Sequence, residues 1–166
     1  ILVDSVRGSS NVLIPNGTIA DQSLPNYISA INSNGFSVGN GTGGAIIDII
    51  SSGSTYTGWQ WRAGTGTTSS NTNGTITSTV SVSQAAGFSI VSYAGNNATS
   101  ATVGHGLNVA PTVYILKDRS AATNWEVLTT AINGSNQYAY LNTTAAFAAA
   151  GQASPTSTVL NVLSAG

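Results

Sequence analysis

Apolar and polar residues alternate with a period of two along much of the chain. In Ile76–Val82, Ile76, Val80 and Val82 fall on one face while Thr77, Thr79 and Ser81 fall on the other, the pattern of a half-buried strand. Gly87–Tyr93 repeats the pattern with Phe88 and Ile90 pointing together. Pro111–Lys117 is apolar on both faces and predicts a central strand, and Thr57–Arg62 sets Trp59 and Trp61 on one face, which suits a sandwich core. Asn124–Thr129 and Ser157–Val162 complete the strong strand predictions.

Five Asn-Gly pairs, at 16–17, 34–35, 40–41, 73–74 and 133–134, punctuate these runs. Asn-Gly supplies the positive φ angles of tight reversals, so the strands are expected to run antiparallel. The expected fold class is an all-β antiparallel sandwich, jelly-roll or concanavalin-like, with at most one short helix. That helix would be Ala145–Ala150, capped by Thr143 or Thr144 and closed by Gly151. Residues 64–74, rich in Gly, Thr, Ser and Asn, read as a connector between an N-terminal β part (1–63) and a C-terminal β part (75–166).

An internal similarity overlies this division. Residues 1–20 align without gaps to 127–146, with identities at Leu2/Leu128, Gly8/Gly134, Ser9/Ser135, Asn16/Asn142, Thr18/Thr144 and Ala20/Ala146. With small gaps, Phe36 and Val38 fall opposite Leu160 and Val162. The expectation is that 127–166 is a partial repeat of 1–39, with a period of 126 residues.

Charge sharpens the picture by its scarcity. Four Lys and Arg and five Asp and Glu serve 166 residues, 5% charged, against about 25% in ordinary soluble domains. Solubility must come from Ser, Thr, Asn, Gln and Gly. The scattered cations make no field for a phosphate backbone, so no nucleic acid partner is expected. No apolar run reaches the length of a membrane span, and membrane insertion is not expected. Without Cys there is neither a disulfide framework nor a thiolate metal site. Without Met, a chain opening Ile1-Leu2-Val3-Asp4 is expected to have lost a leader or to be a segment of something longer.

Candidate chemistry is sparse. His105, the only histidine, stands in Gly104-His105-Gly106 without companions of the kind a metal needs, so it reads as a turn residue, with no metal or other cofactor expected. Asp118 and Glu126 bracket a loop and could approach as glycosidase carboxylates do, but Lys117-Asp118-Arg119 reads better as a solvated loop. No nucleophile elbow or phosphate loop occurs, and no enzymatic activity is expected. Six Asn-x-Ser/Thr triplets follow from the Asn- and Thr-rich composition. Two features instead suggest contact surfaces. Ile46-Ile47-Asp48-Ile49-Ile50 is apolar on both faces between Gly- and Ser-rich flanks, as an edge strand or arm covered by another subunit would be. Tyr138 and Tyr140 alternate on one face and suit an interface or a sugar-stacking surface.

Several stretches together resemble a repeat of bacteriophage structural proteins, found in tail-fibre-like and appendage proteins of marine and cyanobacterial phages. They are Asp4–Gly8, Asn34–Gly39, Tyr56–Gly64, Ala86–Asn96, Val103–Pro111 and Lys117–Trp125. The resemblance implies a concanavalin- or lectin-like sandwich in a virion protein, without catalytic residues. Ile46–Ile50 departs from it, standing where a polar, Gly-rich strand is expected. The expected function is therefore a non-enzymatic structural module on the virion surface: tail fibre, head decoration or appendage. It would assemble with itself and with neighbouring virion proteins. The alternatives are an adhesin domain recognising host surface glycans and an extracellular filament subunit.

Overall fold

The computed structural model describes residues 1–39, 49–64 and 66–162. Among them the chain is all-β, with no helix and with antiparallel ladders throughout, in a sandwich-like arrangement of several small sheets. In chain order the first strands are β1 (Leu2–Asp4), β2 (Gly8–Leu13), β3 (Gln22–Ser23), β4 (Ile28–Asn32) and β5 (Gly35–Val38). There follow β6 (Ser69–Asn71), β7 (Ser78–Ser83), β8 (Phe88–Tyr93), β9 (Ala101–Gly104) and β10 (Val113–Leu116). The last are β11 (Glu126–Thr129), β12 (Gln137–Tyr140), β13 (Ala148–Ala149) and β14 (Val159–Val162). They pair as β1-β2-β3, β4-β5, β6-β7-β8, β14-β9 and β10-β11-β12-β13.

Period two survives where one face meets a core. In β7 the buried Ser78 and Val80 alternate with the exposed Thr79, and an isolated parallel bridge joins Ile76 to Val103. Ile76, Ala101, Val103 and Val162 form one apolar cluster, Val12, Leu24 and Tyr27 a second, and Tyr114, Leu128 and Leu160 a third.

Four sequence expectations are corrected. Ala145–Ala150 forms no helix: Ala148 and Ala149 extend as β13 and pair with Tyr138 and Gln137. The high helix propensity of Ala is a weak preference that an available strand edge overrides. Residues 64–74 are more than a connector, because Ser69–Asn71 pairs with β7. A Cβ at Gly74 would strike the Thr102 carbonyl, and one at Gly104 would strike the Asn71 side chain, so this segment lies hard against β9. Val113–Leu116 is not central but lies at the end of its sheet, with Val113 and Ile115 outward. Trp59 and Trp61 do share exposure, yet outside the core: they are 80% and 65% exposed, and Trp61 stacks on Phe88 at 6.2 Å. Sequence spacing fixes which residues share a face, not which face is covered.

Two hairpins separated by 126 residues share hydrogen-bond registers. Asn11 pairs with Ser23 and Val12 with Gln22, while Gln137 pairs with Ala149 and Tyr138 with Ala148. Leu24 N donates to Ser10 O at 2.8 Å and Ala150 N to Asn136 O at 3.0 Å. Gly17 N donates to Ile14 O, and Thr143 N to Tyr140 O. Gly8 and Gly134 both adopt positive φ, 90° and 79°, a conformation open to glycine at little cost.

The N-terminal sheet is tied to the loop before β11 by charge and by one indole. Arg7, its side chain 5% exposed, bonds Asp4 at 2.6 Å and Asp21 at 3.2 Å, and Asp21 also accepts from Arg119 at 2.8 Å. Asp21 N donates to Arg119 O as well. Trp125, buried, donates its ring N–H to Ile14 O at 3.2 Å and Gly17 O at 3.1 Å. Removing one partner of a buried pair strands the other charge. Asp21→Asn leaves Arg7 with Asp4 still beside it and Arg119 partly open to water, so the loss of unfolding stability should be smaller, about 1.5 kcal/mol, read from the urea midpoint. A change under about 0.5 kcal/mol, the size of a typical surface substitution, would show the network to be incidental.

Candidate functional site

The ladders around β11 place a set of polar and aromatic side chains on one face. Tyr114 opposes Leu128, which opposes Tyr138; Leu116 opposes Glu126, which opposes Tyr140. Because opposite residues in a ladder share a side, the face that carries Leu128 also carries Tyr114, Tyr138, Tyr140 and the Glu126 carboxylate. This face borders an open concavity of about 400 Å³, with Tyr93, Glu126, Tyr138, Tyr140 and Gln152 around a floor of Leu116, Leu128 and Val162.

Tyr138 and Tyr140 meet edge to face, centroids 5.7 Å apart and planes at 74°. Both are half-buried. Such pairs hold each other's orientation, leaving a preformed aromatic wall. Burial, and behind it the carboxylates of Glu126 and Asp118, push the Tyr93 hydroxyl above its ordinary value, so it stays protonated as a hydrogen-bond donor. Tyr114 lies deeper. Burial raises its pKa, opposed by the amides of Asn136 and Gln152, both of which donate to its oxygen. The rim thus offers donors, acceptors and ring faces around an apolar floor, which suits a neutral ligand carrying many hydroxyl groups.

The other expected residues lie elsewhere. Ile46, Ile47 and Asp48 lie outside the described residues. Ile49 packs on the Val12–Leu24–Tyr27 cluster and Ile50 is exposed. Glu126 lines the concavity and Asp118 does not: Asp118 is exposed and accepts the backbone N–H of Ser120. Among the described residues no group of three or more His, Cys, Asp or Glu could hold a metal ion. No helix there is long and apolar enough to cross a membrane. Tyr93 and Gln152 were missed in the sequence, Tyr93 because it shares its strand with the more obvious Phe88 and Ile90, Gln152 because it sits in a segment without periodicity.

His105, read from the sequence as a turn residue, is buried and serves as a structural hub. Its Nδ1 accepts the Leu107 N–H and its Nε2 bonds Thr156 O, each at 3.2 Å, while its carbonyl accepts from Ser89 Oγ at 2.7 Å. Nδ1 as acceptor and Nε2–H as donor define a neutral tautomer. Burial lowers the imidazole pKa from 6.5, the Thr156 carbonyl opposing it. The unfolded chain takes up a proton as pH falls through its ordinary value and the folded chain does not. The stability from this site is therefore complete above that value and declines below it. The urea midpoint should fall between pH 7.5 and 5.5, and His105→Gln should flatten that slope even if it lowers the midpoint throughout. An unchanged slope in the variant would place the titration elsewhere.

The fold defines an all-β sandwich-like domain with this concavity on one of its sheets. The chain belongs to DUF7483, a domain family of unknown function, whose family model matches residues 1–166. No curated protein and no solved structure matches it.

Proposed function

We propose that this chain is a non-enzymatic structural module of a virion surface, as in a tail fibre, head decoration or appendage, and that it assembles with copies of itself and neighbouring proteins through apolar strand faces. The observation that carries this reading is the outward face of β10, an edge strand with Val113 and Ile115 each more than half exposed. Such an edge in a chain with few charges to repel a neighbour invites pairing. Trp59 and Trp61 add large exposed apolar area on the same molecule. The virion setting rests on the resemblance of the sequence stretches given above to phage structural repeats.

In light scattering at high concentration the chain should form a species heavier than the monomer. Joint substitution Val113→Asp and Ile115→Asp should return it to monomer mass with an unchanged circular dichroism spectrum. A wild-type chain that stays monomeric throughout would end the assembly reading.

A second reading rests on a different observation, the tyrosine-walled concavity. Rings that stack on the apolar faces of sugars, beside Glu126 and Gln152 to bond hydroxyl groups, would suit a glycan on a host surface. A glycan array should then give discrete hits that Tyr140→Ala or Glu126→Gln abolishes. An array without hits, or hits indifferent to both variants, would remove this reading.

A further inference from the structure

All four Lys and Arg side chains of the protein are engaged away from the concavity. Arg7 and Arg119 meet Asp21, and Arg62 Nε donates to the Gly64 carbonyl. Lys117 Nζ donates to Asp118 O, Ala121 O and Thr123 Oγ1. His105 is spent on Leu107 and Thr156. Among the described residues no cation lies within ion-pair distance of the Glu126 carboxylate, which is half-buried in the lining of the concavity. A carboxylate in that position gains most from a cation that arrives with a ligand.

The setting narrows which cation fits. Tyr140 stands directly across the ladder from Glu126, close enough for ring and carboxylate to meet one ligand group. Tyr138 packs edge to face on Tyr140, and Tyr93 adds a third ring to the lining. Ring faces attract an ammonium group, the more strongly as water is excluded. Burial, and then the charges of Glu126 and Asp118, keep the Tyr93 hydroxyl protonated, so this ring brings no charge of its own. The side chains of Leu116, Leu128 and Val162 on the floor offer no ligand oxygen to an inorganic ion. Such an ion would lose more hydration there than one carboxylate returns. The volume of about 400 Å³ instead falls in the range that organic ligands fill.

Resting on the glycan reading for the site itself, we infer that the sugar it takes carries a free amino group. The ammonium sits at Glu126 against the Tyr138–Tyr140 wall, and the ring hydroxyls bond Tyr93 and the amide of Gln152. The hydroxyl-bonding rim alone suits a neutral sugar; the unpartnered carboxylate is what adds the preference for the amine. N-acetylation removes the ligand's charge and with it the attraction to Glu126, while an acidic sugar meets like charge there.

Isothermal titration of the full chain at about pH 6.5 compares two β-1,4-linked tetrasaccharides, one of glucosamine and one of N-acetylglucosamine. The free-amine sugar should bind at least about tenfold tighter, the size of one charge-assisted contact. A sugar amine titrates near the range of an α-amino group, so at about pH 9 the difference should vanish. The acetylated sugar has nothing to titrate in that interval and serves as the control. Glu126→Gln should also abolish the difference, with an unchanged circular dichroism spectrum. Tyr140→Ala should weaken both sugars, and Tyr140→Phe, which keeps the ring, should preserve the preference. Equal binding of the two sugars by the parent chain would overturn the inference, as would a preference that survives both pH 9 and Glu126→Gln. Spermidine binding as tightly as the free-amine sugar would overturn it too, by showing that the hydroxyl groups contribute nothing. Neutral glycans bound through Tyr140 without preference for the amine would sink this inference and leave the glycan reading standing. No binding of any sugar would sink both.

Discussion

A single carboxylate ties the N-terminal sheet to the loop that precedes β11. Asp21 accepts from Arg7 on its own sheet and from Arg119 on the loop that precedes β11. Its backbone N–H is taken by the same residue's carbonyl. In a protein with so few charges, four meet in this one network, and Asp4, Arg7 and Asp21 are largely out of water. Screening by salt is weak there, and any rearrangement would expose or strand an ion. The indole of Trp125 works on the adjacent turn, bonding two of its carbonyls.

Polar side chains elsewhere do what charges do in ordinary domains, but locally. Asn71, Asn96, Asp118 and Asn133 each accept a hydrogen bond from the backbone N–H two residues on. Thr129, Thr143 and Thr156 do the same with their hydroxyls. These side-chain turns satisfy backbone groups at reversals, where no ladder partner exists. The Asn-Gly-Ser triplet at Asn133 is thus a turn device: the amide caps Ser135 and the glycine takes the positive φ.

How much of this was legible depended on whether a local pattern decided the outcome. β7, β8, β11 and β14 could be read because alternation with β-branched and aromatic residues admits little else. The register of Asn11 with Ser23 matches that of Gln137 with Ala149, 126 residues on, while Leu2 with Leu13 and Leu128 with Tyr138 differ by one residue. Ala145–Ala150 misled because its preference is intrinsic while its fate was set by the free edge of β12. Trp59 and Trp61 misled because a shared face says nothing about its cover. The concavity was half legible: the alternation of Tyr138 and Tyr140 was plain, but the approach of Tyr93 and Gln152 is a matter of long-range packing that no local pattern encodes.

The unequal settings of the three indoles give the molecule its own optical labels. Trp125 is sealed at the junction, while Trp59 and Trp61 face water. The sealed ring would emit at shorter wavelength than the other two, so intrinsic fluorescence divides into a blue component that follows the joint between the N-terminal sheet and the start of β11 and a red component that follows the outer surface. Loosening of the joint and occlusion of the surface would move these components independently, in one cuvette and without added dye.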